Sequence, residues 1–110
     1  MIEDTIGQIE AQIRNSGGVN EERKGELLQL LARLKAEVVR LEQTHDQEAR
    51  TIAERAHASA QEATEPGPNP ESLQQSVQGL RSSVEGFEKS HPQLVEIVNG
   101  ISNLLSNLGI

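Results

Sequence analysis

The chain has 110 residues, with 10 Lys plus Arg against 17 Asp plus Glu and a formal charge of −7, a balance that repels nucleic-acid phosphates and anionic membrane surfaces. The absence of cysteine excludes disulfides and thiolate metal sites, and with Phe87 as the one aromatic residue, burial must come from Leu, Ile, Val and Ala. Such a composition suits helix seams better than an enzyme core with a deep pocket, and no apolar run approaches the ~20 residues of a membrane span. With no charged n-region followed by an apolar h-region, a cytoplasmic location is the expectation.

Ile2, Ile6, Ile9 and Ile13 recur at spacings of 4, 3 and 4, which predicts a short amphipathic helix over about 2–15, ended by Asn15-Ser16-Gly17-Gly18. Alone it would be marginal, so it must dock. Asn20 is a good N-cap, and Glu21 and Glu22 favour the helix dipole of a long helix over about 21–63. Its stripe reads Leu27, Leu31, Leu34, Val38 and Leu41, widened by Leu28 and Leu30. From His45 through Ala49, Ile52, Ala56, Ala60 and Ala63 the spacing becomes an eleven-residue pattern with a narrow, mostly alanine seam.

Pro66, Pro68 and Pro70 stop that helix in a stiff hairpin loop over 64–70, because proline cannot donate a backbone hydrogen bond and pushes its predecessor to extended geometry. Asn69 as N-cap with Pro70 at the first helical position starts a helix over about 70–89. Its seam residues are Leu73, Val77, Leu80, Val84 and Phe87. Ser90 as cap, with Gln93 three residues on, restarts a helix over about 91–108 whose seam is Leu94, Val98, Ile101, Leu105 and Leu108. The heptad register holds through His91 across Pro92, so one kinked helix and two separate helices are both open. Gly109 followed by Ile110 has the form of a Schellman ending.

Turning the chain at Pro68 sets Leu27, Leu34 and Leu41 against the Leu94 to Leu108 region, and Ala49 to Ala63 against Leu73 to Phe87. The expected fold is a single all-α domain over 1–110: an antiparallel helical hairpin or coiled coil of three to four helices, its short N-terminal helix docked at one end. The other end is a thin two-helix arm that buries little and so calls for a second copy or a partner. A stripe of small residues, Ser76, Gly79, Ser83, Gly86 and Ser90, reads either as a close-packing flank or as a solvated face.

The stretch from His91-Pro92-Gln93-Leu94 to Asn107-Leu108-Gly109-Ile110 resembles a family of short bacterial helical proteins classed as a domain of unknown function, which end in a His-Pro-x-Leu helix closed by Gly-Ile. The resemblance covers about the last 25 residues, and Leu27 to Leu41 more loosely; the alanine-rich segment and the Pro66 to Pro70 loop look like an extension. It implies a bacterial origin and supplies no catalytic residues.

No phosphate loop and no nucleophile–base arrangement with a supporting strand is present. Each histidine, however, follows a glutamate by three residues: Glu42 and His45, Glu54 and His57, Glu88 and His91. That spacing puts both side chains on one helix face, as di-iron carboxylate bundles require. The hairpin brings His45 level with His91, so Glu42, His45, Glu88 and His91 are the candidate metal ligands. A polar layer that fixes helix register is the structural alternative.

The expected function is therefore a non-enzymatic helical interaction or scaffold protein, without cofactor, forming a homo-oligomer through its apolar seams and open to a further protein partner. Nucleic acid is not an expected partner. An alternative is attachment of the last helix, whose one charge after Gln93 is Glu96, to lipid or a granule surface; its polar face lacks Lys and Arg, which leans against a membrane.

Overall fold

The computed structural model describes every residue except Met1, Gly18, Pro66, Pro68, Gly109 and Ile110. Five helices follow in order: α1 (Ile2–Arg14), α2 (Glu21–Glu42), α3 (Asp46–Thr64), α4 (Pro70–Ser82) and α5 (Pro92–Leu108). No strand occurs among the described residues. The all-α class is as expected, but the helix count is higher than three to four because the helix expected over 21–63 is broken at 43–45. The Schellman ending and the turn point at Pro68 lie outside the described residues.

Several helix ends follow directly from side-chain chemistry. The Asn20 carboxamide oxygen accepts from the Arg23 N–H at 2.8 Å, and that of Asn69 accepts from the Glu71 and Ser72 N–H groups at 2.9 and 3.3 Å. At the end of α1, Lys24 Nζ donates to the Arg14 carbonyl at 3.3 Å, and at the end of α5 an Arg23 guanidinium nitrogen reaches the Asn107 carbonyl at 3.5 Å. Both cations sit where unpaired carbonyls and the negative end of the helix dipole favour them.

The break after α2 has no glycine or proline to cause it. The Thr44 hydroxyl donates to the Leu41 carbonyl, the His45 N–H also bonds that carbonyl at 2.7 Å, and His45 turns to φ −138°. Asp46 and Glu48 then occupy the first turn of α3, favoured by its dipole. The second break is longer. Bonds of the i to i−3 kind run from Ser83 to Phe87, Gly86 adopts φ +97°, and α5 begins at Pro92. Pro92 therefore opens a separate helix, and His91, not Ser90, takes the position before it. Gly86 supplies a turn, so the small-residue stripe does not continue as a helix face past Ser82.

These two breaks lie level with each other across the expected hairpin, and both arms fold back there. The thin arm does not exist. Helices α2 to α5 form an up-and-down four-helix bundle in which α2 packs on α3 and α5, and α4 packs on α3 and α5. On its diagonal α3 also meets α5; Ser59 of α3 and Ser102 of α5 are buried, and each hydroxyl donates to the carbonyl one turn back, so neither brings an unpaired group inside. Leu30 meets Gly100 where a Cβ would stand 3.2 Å from Leu30 Cδ1, which fixes the close approach of α2 and α5.

The bundle carries an internal repeat. Shifted by 46 positions, Leu27, Leu34, Val38, Glu42, His45 and Gln47 coincide with Leu73, Leu80, Val84, Glu88, His91 and Gln93, and Thr44 with Ser90. The hairpin α2–α3 thus corresponds to α4–α5, and the packing of α2 on α5 and of α4 on α3 is what an internal two-fold along the bundle requires.

Two substitutions test these turns. Asp46 is the first residue of α3 and the counterpart of Pro92, a position where the missing N–H of proline costs least. Asp46→Pro is expected to change the unfolding free energy by less than about 1 kcal/mol, including loss of the exposed Asp46–Arg50 pair at 3.3 Å. In an unbroken helix over 21–63 the same change would cost ~3 kcal/mol or more. Urea titration separates the two. At Gly86 an added Cβ meets no atom within 4 Å, so Gly86→Ala should cost only the left-handed backbone strain, about 1–2 kcal/mol, read as a lowered urea midpoint.

Candidate functional site

The breaks at 43–45 and 83–91 bring three rings together at one end of the bundle. His45 and Phe87 have centroids 5.4 Å apart, Phe87 and His91 5.5 Å, and His45 and His91 6.3 Å, all three pairs close to perpendicular. Edge-to-face packing of this kind is favourable and directional. Each histidine stands one residue before a helix, and each Nδ1 is engaged by the preceding hydroxyl: Thr44 Oγ1 at 2.8 Å from His45 and Ser90 Oγ at 3.0 Å from His91. The two histidines are equivalent in the repeat, so the ring cluster sits about the internal two-fold and closes that end of the core.

Of the four candidate metal ligands, the fold unites His45 and His91. Glu88 instead turns its Oε2 to the Gly86 N–H at 2.7 Å, where it secures the turn before α5, and Glu42 is half-buried at the end of α2. His57 lies over three turns along α3 from His45. Among the described residues no group of three His, Asp or Glu side chains comes together that could hold a metal ion.

The seam residues end up inside this one chain. Leu73, Val77, Leu80, Val84, Phe87, Leu94, Val98, Ile101 and Leu105 are buried in the core, and Leu108 is packed partly buried against it. Burial of the α5 seam also occupies the face that attachment to a lipid or granule surface would need. No helix among the described residues is long and apolar enough to cross a membrane.

A second site is the seat of α1, which touches α2 and α3 and no other helix. Ile2 and Thr5 share a concavity with Arg50, Ala53 and Glu54 of α3, while Lys24 reaches the carbonyl of Arg14 at the opposite end. Thus α1 runs antiparallel to α2 and parallel to α3. Its four isoleucines are 0–3% exposed. Helix α3 accommodates this neighbour because its buried residues, Ala49, Ile52, Ala53, Ala56, Ser59, Ala60 and Ala63, form a band wide enough for α1 on one side and α4 and α5 on the other. The alanine segment, expected to be a narrow seam, is the most heavily shared surface of the fold.

Charge orients α1 in this seat. The chain's amino group, by hydrogen bonding and then by charge, holds the Asp4 carboxyl below its usual range, and Lys35 on α2 adds to the same direction. Arg50 lines the concavity beside Ile2 and Thr5. Lys35 thus favours the acidic first turn of α1, whereas Arg50 is paired with Asp46 at 3.3 Å and shares the concavity with Glu54.

The repeat supplies an internal comparison. The face of α4–α5 that corresponds to the seat of α1 has Glu96 for Arg50 and Asn99 for Ala53. It is an open depression lined by residues including Arg81, Glu85, Glu88, Val95 and Asn99, with no helix over it. Arg81 donates to Asn103 Oδ1 across it at 2.7 Å. Only one of the two equivalent faces is built to receive a helix.

Lys35, Arg50 and Ala53 were not legible as site residues from local pattern. For Arg50 and Ala53 the signal that could have found them is the 46-residue repeat, where their counterparts Glu96 and Asn99 differ in polarity; Lys35, whose counterpart is Arg81, carries no such mark.

Residues 27–110 match the family described as Domain of unknown function (DUF4404), and the chain belongs to that family. The match extends the resemblance of the last 25 residues over α2 from Leu27, all of α3, the proline loop, α4 and α5; it begins within α2, so α1 and the first turns of α2 both lie outside it. No curated protein and no solved structure matches the chain significantly.

Proposed function

We propose that this member of the DUF4404 family is a non-enzymatic helical interaction protein that self-associates. The observation that carries the reading is α1, an amphipathic helix seated in an apolar groove between α2 and α3. A chain that carries both a docking helix and the groove that accepts it has the two halves of an interface.

The histidines favour the same reading. Their Nδ1 atoms are engaged by Thr44 and Ser90, and their rings pack on Phe87, a placement that serves helix termini and core closure. Self-association through the Leu73 to Leu108 seam would require the core to open, since that stripe is already spent within the chain. The association surface is instead sought at α1. Sedimentation velocity of the full chain from low to high micromolar concentration tests this. An apparent mass rising above 12.0 kDa with concentration is expected; a constant 12.0 kDa would contradict it.

A further inference from the structure

The internal two-fold gives the bundle a second face equivalent to the seat of α1, and that face is open, because α1 touches α2 and α3 alone. We propose that the open face of α4–α5 docks a basic segment of another protein, held in extended form across Glu85, Glu88 and Glu96. The inference goes beyond self-association and does not depend on it.

The face is concave and charged. A depression between α4 and α5 is floored by Val84 and Val95, and past Glu88 and Asn99 it continues along α5 to Asn103. Three exposed glutamates line it, Glu85, Glu88 and Glu96, and none of them makes an ion pair among the described residues. The lining has one cation, Arg81, and its guanidinium is committed to Asn103 Oδ1 at 2.7 Å. Three carboxylates against one guanidinium leave a surplus of two negative charges. The Gly86 N–H holds Glu88 Oε2 at 2.7 Å, so this carboxylate is already ordered before a cation arrives.

Comparison with the covered face distinguishes the occupants. Where α3 sets Arg50 and Ala53 beside α1, α5 sets Glu96 and Asn99. Asparagine in place of alanine removes the apolar surface on which an isoleucine stripe lies, and glutamate in place of arginine reverses the charge that the occupant must carry. Asn99 and Gln78 are exposed carboxamides in the lining, able to pair with the free N–H and C=O groups of an extended backbone, which a helix has already used. Alternate side chains of an extended segment share one face, so arginines at every second residue meet the carboxylates together, each with two parallel N–H donors. From Pro92 to Asn103 the face runs about 16 Å along α5, the length of about five extended residues. The formal charge of −7 draws such a segment in from a distance, but the depression decides where it stops.

The probe is acetyl-Gly-Arg-Gly-Arg-Gly-Arg-Gly-amide, titrated at low salt into the full chain labelled with nitrogen-15. Amide shifts should move within residues 78–88 and 92–103 and stay still in α1. Glu85→Gln together with Glu96→Gln should weaken binding by about tenfold. Glu26→Gln together with Glu54→Gln removes the same charge from exposed residues outside the depression and should weaken it by less than about twofold. Glu96→Arg, which restores the charge found at the α3 counterpart, should weaken it at least as much as the first pair. All the altered residues are exposed, so each variant keeps the fold, and its amide spectrum verifies this.

Equal weakening by the two glutamine pairs, shifts in α1 and α2 as large as those in α4 and α5, or no shift at millimolar peptide would each overturn the proposal. If the amides of 78–88 and 92–103 shift when the chain alone is concentrated, and the peptide leaves them unmoved, the face belongs to a second copy and the basic partner is ruled out.

Discussion

Leu34→Ala and Leu80→Ala are each expected to lower the unfolding free energy by about 2–5 kcal/mol, and by the same amount at every protein concentration. The two leucines are equivalent in the internal repeat and both are 0% exposed, one on α2 and the other on α4. Removing three heavy atoms from a filled position loses their transfer free energy and leaves a cavity that the neighbouring helices close only in part. For a domain whose whole stability is roughly 0.05–0.15 kcal/mol per residue, this is a large share. The thermal midpoint should fall by about 4–8 °C per kcal/mol lost. Concentration dependence is the informative part. If the stripe from Leu73 to Leu108 joined two chains, the defect would deepen on dilution, because unfolding would then be coupled to dissociation. Because the stripe is intrachain, thermal scans of Leu80→Ala at widely separated concentrations should show the same decrement relative to wild type.

Ile9→Asp has the largest expected effect of a different kind, because it removes one helix and leaves a bundle. Ile9 is 1% exposed between α1 and the α2–α3 groove. A carboxylate there has no partner to offset its desolvation, a cost of at least several kcal/mol in real interiors. Undocking α1 is the cheaper outcome. The far-UV circular dichroism should lose the contribution of about the 13 residues of α1, since the freed helix is too short to persist alone. The remaining bundle should still unfold cooperatively, with Leu27 to Leu41 and the seam of α4–α5 packed as before. Loss of all helical signal would show instead that α1 is part of the folding unit.

Much of this architecture is legible in the sequence wherever local chemistry decides it. Asn20, Asn69 and Pro70 announce their helix starts, and the pairing of α2 with α5 and of α3 with α4 follows from matching large and small stripes. The meeting of His45 and His91 also follows, from counting residues about the turn. The break at 43–45 escapes because no glycine or proline marks it. Its cause is the Thr44 hydroxyl on the Leu41 carbonyl and the dipole preference of Asp46 and Glu48, which look locally like any polar helix turn. A stripe that keeps its phase through a break also hides it, because both arms return the same face to one core. Recognition that Thr44-His45-Asp46-Gln47 repeats as Ser90-His91-Pro92-Gln93 would have placed the break, since the proline exposes in one copy what the aspartate conceals in the other. A heptad stripe, moreover, cannot declare whether it faces its own chain or another, and here the folding back of both arms spends it internally.

The central claim is that α1 is a separable helix docked on α2 and α3. Native-state amide hydrogen exchange of the full chain tests this most directly, because it reads the opening free energy of each helix in one experiment. The account predicts that residues 2–14 open as a unit at a lower free energy than the interiors of α2 to α5, which should exchange together through global unfolding. Equal protection of α1 and the bundle, lost together at the global unfolding free energy, would contradict it.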